Sequence, residues 1–238
     1  EPNNEHSLAH NFVRTVFEDS KGHLLIGTYI GIQMYDPATD NFTPLAKLED
    51  TGETLESNIN SFIERKNGEI WVSGNVLCKL DIKDHLLTVR KVDIAVTSPG
   101  SLFEDKKQNV WMAKGEEGVY QLTPDNQLTL HLSKDNGYVK SICEDQRGNI
   151  YVGSIRKGLF IYDKERKTFV PIDLKEKGEL PVCFLYSGIP NELYIGTDGK
   201  GVVIYNIRTH EISEYKFDNN YFDSGNSKIH SILKDNSG

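Results

Sequence analysis

The stretch Val139–Ser154, VKSICEDQRGNIYVGS, aligns without a gap with Val13–Thr28, VRTVFEDSKGHLLIGT. The stretches from Ile59 (INSFIERKNGEIWVSG), Pro99 (PGSLFEDKKQNVWMAK) and Val182 (VCFLYSGIPNELYIGT) fall into the same register. A large residue recurs in the second half of each copy, as Leu25, Trp71, Trp111, Tyr151 and Tyr194, at spacings of 46, 40, 40 and 43 residues. A sixth copy opens at Ile229 and reaches Gly238, the equivalent of Gly22. Internal repetition of this length organises the whole chain and has to be read before any local motif.

Within a copy, apolar residues alternate or run in short β-branched stretches bounded by Gly, Asn and Asp, the pattern of strands rather than helices. In the fourth copy strands are expected near 138–144, 149–153, 158–163 and 168–172. In the Asp-x-x-Gly turn, Asp bonds the backbone of the tight hairpin and Gly takes the positive φ that closes it. Four antiparallel strands in a period of 40 to 47 residues match a β-propeller blade. The chain is therefore expected to be all-β, a propeller with blades at approximately 12–48, 59–92, 99–132, 138–172 and 182–216 and a partial blade at 229–238. Small Thr15, Ser61, Ser101 and Ser141 mark the innermost strand where blades converge, followed by apolar Val16, Phe62, Leu102, Ile142 and Leu185. The aromatic anchors are read as filling the wider space between sheets, not as sugar-stacking platforms.

Composition narrows the function classes. The 238 residues are 37% hydrophobic and 26% charged, an ordinary globular balance with enough length for a real core. No apolar run approaches the roughly 18 to 20 residues that cross a bilayer, so direct membrane insertion by this region is not expected. The chain opens on Glu1-Pro2 rather than Met, compatible with a mature or excised piece. A net charge of −8 argues against nucleic acid as a partner. Cys78, Cys143 and Cys183 are too few and too scattered for a disulfide framework or a zinc site, and Cys143 and Cys183 read as core thiols.

The motif apolar-x-[ST]-apolar-x-Glu-Asp-x-x-Gly-x-[ILV]-[WY]-[VI]-Gly-[ST] is carried by Ser141–Ser154, with Gly158-Leu159 and Tyr162-Asp163 after it. Thr15–Thr28 carries it again with Leu25 at the [WY] position, followed by Gly31-Ile32 and Tyr35-Asp36. This pattern resembles the two-component regulator propeller repeat, and the resemblance covers essentially residues 12–238. Copies two, three and five depart at the hairpin: Arg65 replaces the turn Asp, Gln108 the turn Gly, and Gly188-Ile189-Pro190-Asn191 gives a different turn. The resemblance implies the periplasmic sensor region of a hybrid two-component histidine kinase, a class well represented in gut Bacteroidetes and implicated in detecting oligosaccharides. It also implies seven-bladed rings, so this chain is expected to be a fragment whose partners include the rest of the parent kinase. Exposed edge strands at a broken ring would favour pairing with a second copy as a homodimer.

Catalytic chemistry has little to stand on. The seven histidines show no metal-ligand spacing, and the acid pairs Glu18-Asp19, Glu104-Asp105 and Glu144-Asp145 recur at one blade position, which points to a turn role. No cofactor motif occurs, and no cofactor or metal is expected. A propeller enzyme of the streptogramin-lyase type is the rival reading, with His23 and His230 its histidine candidates, and a protein-interaction scaffold the third.

The remaining functional surface is loops. Residues 46–58 and 216–228 are long polar connections, and the second interleaves Tyr215, Phe217, Tyr221 and Phe222 with Asn219, Asn220 and aspartates. Aromatic faces beside amide and carboxylate acceptors suit a sugar. A second candidate set precedes the third strand of successive copies: Tyr29, Lys114, Glu116, Arg156, Lys157, Asp198 and Lys200.

Overall fold

The computed structural model describes residues 6–132, 137–174, 180–215 and 228–232. Every regular element among them is a strand, so no helix there is long and apolar enough to cross a membrane. The chain divides into two compact units, Glu1–Glu104 and Asp105–Gly238.

In the first unit β1 (Val13–Glu18), β2 (Leu24–Thr28), β3 (Ile32–Asp36) and β4 (Asn41–Phe42) form one antiparallel meander. β6 (Ser61–Glu64), β7 (Ile70–Ser73), β8 (Leu77–Lys83) and β9 (Leu86–Lys91) form the next. A fifth strand, β5 (Lys47–Leu48), lies parallel to β9 with Lys47 opposite Thr88 and Leu48 opposite Val89. The connection 46–58 is thus structural: it adds to the edge of the second sheet and sinks Ala46 and Leu55 into the core. The unit ends with β10 (Leu102–Glu104).

The second unit holds β11 (Val110–Lys114), β12 (Gly118–Leu122) and β13 (Leu128–Leu132). Two four-stranded meanders follow. The first is β14 (Val139–Glu144), β15 (Ile150–Ser154), β16 (Gly158–Asp163) and β17 (Thr168–Pro171); the second is β18 (Val182–Ile189), β19 (Glu192–Thr197), β20 (Val202–Asn206) and β21 (Ile212–Glu214). In β7 and β15 every residue is buried, although alternate side chains point to opposite faces. Burial of both faces is what stacked sheets require, and it explains why these strands read as continuous apolar runs instead of alternating.

Close stacking dictates the small residues. A Cβ on Gly153 would lie 2.3 Å from Val182 Cγ1, and one on Gly27 would lie 2.6 Å from Ile59 Cγ2, so an apolar residue at or just before the first strand of the next sheet packs directly onto bare backbone. The recurring hydroxyl also ties one sheet to the next, as Ser141 Oγ accepts the Leu185 N–H at 3.0 Å and Ser61 Oγ the Leu102 N–H at 3.4 Å. The departures at the hairpins are absorbed locally. Gln108 and Asn191 adopt φ of 66° and 61°, where Gly148 takes 78°, so the turn keeps its left-handed residue without its glycine.

The acid pairs divide their labour. Asp19 is buried, and its Oδ1 accepts the Lys21 and His23 N–H groups, closing its own hairpin. Asp105 and Asp145 do the same with Lys107 and Asn109, and with Arg147 and Asn149. Their Oδ2 atoms hold the anchor rings, Trp111 Nε1 at 2.8 Å and Tyr151 OH at 3.2 Å. The preceding glutamate reaches backwards to the previous sheet: Glu64 accepts the Ser20 N–H, Glu104 that of Lys66 and Glu144 that of Lys106. Where Arg65 stands for the Asp, Glu69 takes over, accepting Trp71 Nε1 at 3.0 Å and Lys79 Nζ at 2.6 Å while the Arg65 guanidinium lies 4.6 Å over the ring.

Candidate functional site

The loops between the second and third strands of each sheet carry the diverse polar residues, because strand register leaves a few residues there without ladder partners. In the first unit Tyr29 is 55% exposed, its ring 5.8 Å from His10 and 6.3 Å edge-on to Phe12, with its N–H donated to the Phe12 carbonyl. In the second unit the structure brings Glu116 and Arg156 together across neighbouring sheets at 3.0 Å. Lys157 follows in the same loop, its N–H on Ser154 Oγ, and the Tyr138 ring covers Gly115. Lys114 is drawn to Glu117 at 2.7 Å. Asp198 pairs with Lys228, a bond that raises the lysine pKa, while the Lys200 N–H caps Thr197 Oγ1 at 2.9 Å. These pairs are mostly exposed, so each contributes little to stability and a ligand can displace them at small cost.

Tyr215 is 46% exposed, its ring 6.3 Å from Tyr194. Burial, together with the bond from its hydroxyl to Glu192, pushes Tyr194 up to about 12, so it stays a neutral donor. Phe217, Asn219, Asn220, Tyr221 and Phe222 lie outside the described residues. Of the two histidines weighed for catalysis, His23 is held by Asp19 at 2.8 Å and His230 is exposed. Among the described residues no group of three or more His, Cys, Asp or Glu side chains is placed to hold a metal.

A second feature is not legible in the sequence. Between the sheets β14–β17 and β18–β21 runs a cleft of about 430 Å³. Its floor is Tyr151, Ile161, Ile172, Tyr205 and Ile207, and Arg147, Asn149, Asp173 and His210 stand at its rim. The signal is present in the repeat alignment as smaller residues at ring positions, but it has meaning only once the sheets are known to face each other there.

Residues 7–29 and 133–156 match the family model described as two component regulator propeller. Those two segments are similar to repeats of that family. No curated protein matches the sequence. Among solved structures it is similar to the extracellular domain of BT4673 from B. thetaiotaomicron, described as a putative hybrid two component system. That match has 18% identity and a TM-score of 0.76, over 100% of this chain and 33% of that one. The corresponding domain of BT3049, from the same organism and similarly described, gives 20% identity and a TM-score of 0.78 over 97% of this chain and 32% of that one. Virginiamycin B lyase from Staphylococcus aureus gives 12% identity and 0.69 over 91% and 73%. At these identities the likenesses show the fold, an all-β propeller architecture. The chain spans about a third of the length of those two extracellular domains, consistent with a fragment of a larger propeller.

Proposed function

We propose that the chain is part of the extracytoplasmic, periplasmic ligand-sensing propeller of a hybrid two-component sensor histidine kinase, with an oligosaccharide fragment as its cue and no catalysis of its own. The observation that supports this most is the pair of matches to the two component regulator propeller at residues 7–29 and 133–156. The loops before the third strands supply the chemistry: displaceable ion pairs such as Glu116–Arg156, with Lys157 and Tyr138 alongside, offer donors, acceptors and a ring face to a hydroxyl-rich ligand. Tyr215 and the aromatic and amide residues after it are the other candidate contacts.

The sensor works by differential binding. To swing a two-state equilibrium from 1:99 to 99:1 a ligand must favour one state by about 5.5 kcal/mol, roughly 10⁴-fold in affinity. A stacked-sheet scaffold supplies a preformed site, and the switching element belongs to another part of the parent protein. The test is the melting temperature of the longer sensor ectodomain with a broad oligosaccharide panel. A rise with one class of glycan, reduced by Arg156→Ala with Lys157→Ala, is expected. No shift with any glycan would remove the direct sensing role.

A further inference from the structure

Inside the second unit, consecutive sheets are wedged apart by side chains from equivalent positions. Between β11–β13 and β14–β17 the wedge is four rings: Trp111 and His131 from one sheet, Tyr162 and Phe169 from the next, with neighbouring centroids 5.1 to 5.8 Å apart. His131 enters because a register shift in the β12–β13 pair adds a residue, and its Nε2 is fixed at 2.7 Å from Gln121 Oε1. One wedge further on, the anchor is Tyr151 instead of Trp111, and Tyr205 stands in register with Tyr162. Ile212, opposite Tyr205, replaces Phe169, opposite Tyr162. β16 and β17 pair without a shift, so no fourth ring arrives and Ile172 lines the space. Two rings are missing and one is smaller, and this wedge carries the cleft of about 430 Å³.

The floor has a definite chemistry. Both of its phenols spend their hydroxyls inside the protein, Tyr151 on Asp145 and Tyr205 on His210 Nδ1 at 2.6 Å, leaving ring surface and three isoleucines. A sugar hydroxyl would find no partner there, whereas a flat apolar ring would meet the surroundings that Trp111 and Tyr162 give to Phe169. At the rim the Arg147 guanidinium is held in place by one bond, Nη2 to Asn191 Oδ1 at 2.8 Å, and its fork has further N–H donors. Asp173, the acid of the rim, has a partner of its own. We propose that this cleft binds a small aromatic carboxylate, its ring on the isoleucine and tyrosine floor and its carboxylate on Arg147.

The probe is 3-phenylpropionate, observed by saturation-transfer NMR on the whole chain, against 3-phenylpropanamide, 3-phenylpropylamine and glucose. Transfer to the phenyl protons and an acid bound about tenfold more tightly than its amide are expected, the scale of one charge-assisted hydrogen bond. Arg147→Gln, at an exposed position that leaves the core intact, is expected to erase that tenfold preference. Ile172→Trp is expected to plug the cleft and abolish transfer. The proposal is overturned by no transfer at millimolar ligand, by amide or amine binding as well as the acid, or by undiminished binding to Ile172→Trp. Should Ile172→Trp not fold, Arg147→Gln carries the test.

Discussion

Replacing Asp145 by alanine is expected to lower the melting temperature of the second unit by about 10 °C. The residue is 4% exposed, and its carboxylate accepts four hydrogen bonds, from Arg147 N at 2.8 Å, Asn149 N at 2.9 Å, Asn149 Nδ2 at 2.8 Å and Tyr151 OH at 3.2 Å. The two backbone donors sit in a surface hairpin where water replaces the carboxylate, at a cost of about 0.5–1 kcal/mol each. The Asn149 amide and the Tyr151 hydroxyl, on a side chain only 1% exposed, lose a charged acceptor, about 1.5–3 kcal/mol each. Relief from burying the carboxylate offsets part of this, leaving a net loss of about 3–4 kcal/mol. At about 3 °C per kcal/mol for a domain of this size, the shift is about 10 °C. The assay is thermal unfolding by circular dichroism, with Asp163→Ala as control, since Asp163 closes an exposed hairpin through the Glu165 and Arg166 N–H groups and holds no ring. If the two variants melted together, the buried carboxylate would not be what fixes the anchor ring and the turn.

Other consequences are as direct. Burial raises the Glu69 pKa, but the hydrogen bonds from Lys79, Trp71 and Asn67 outweigh it and hold the group at about 2. Its stabilising contribution is therefore complete above the ordinary value of 4.5 and lost as pH falls towards 2, so the stability gap between wild type and Glu69→Gln is expected to shrink over that window in urea titrations. Gly153→Ala forces a methyl to 2.3 Å from Val182 Cγ1 and is expected to cost about 1–3 kcal/mol by denaturant unfolding; a neutral result would mean the sheets do not stack that closely. Burial pushes the Cys78 thiol up to about 11 and the Cys143 thiol up to about 12, and all three cysteines are buried. A native-state thiol titration is expected to find none reactive at neutral pH and three after unfolding, and rapid native labelling would contradict the packing.

The repeat alone determined a great deal. Its period, the Asp-x-x-Gly turns and the small-then-apolar pair at Ser141-Ile142 lead to stacked four-stranded sheets, and the strands of the fourth copy, 139–144, 150–154, 158–163 and 168–171, lie within a residue or so of the sequence expectation. These features are local: a hairpin is closed by residues within five positions of each other, and alternation is a property of one strand. The turn role of the acid pairs was legible for the same reason, since recurrence at one blade position marks scaffolding.

Tertiary structure decided everything that depends on two sheets at once. That Glu144 reaches the hairpin of the previous sheet while Asp145 keeps its own is invisible in two adjacent acids. The connection 46–58 reads as a polar loop, yet parallel pairing of Lys47 and Leu48 with β9 and burial of Leu55 make it part of a sheet edge. Of the polar loop residues, only the meeting of sheets shows that Glu116 pairs with Arg156 and Asp198 with Lys228. The cleft above Tyr151 is the clearest instance. A space between sheets is the difference between the volume that backbone stacking sets and the volume that side chains from distant positions fill, and a linear sequence states neither the spacing nor which residues face each other across it.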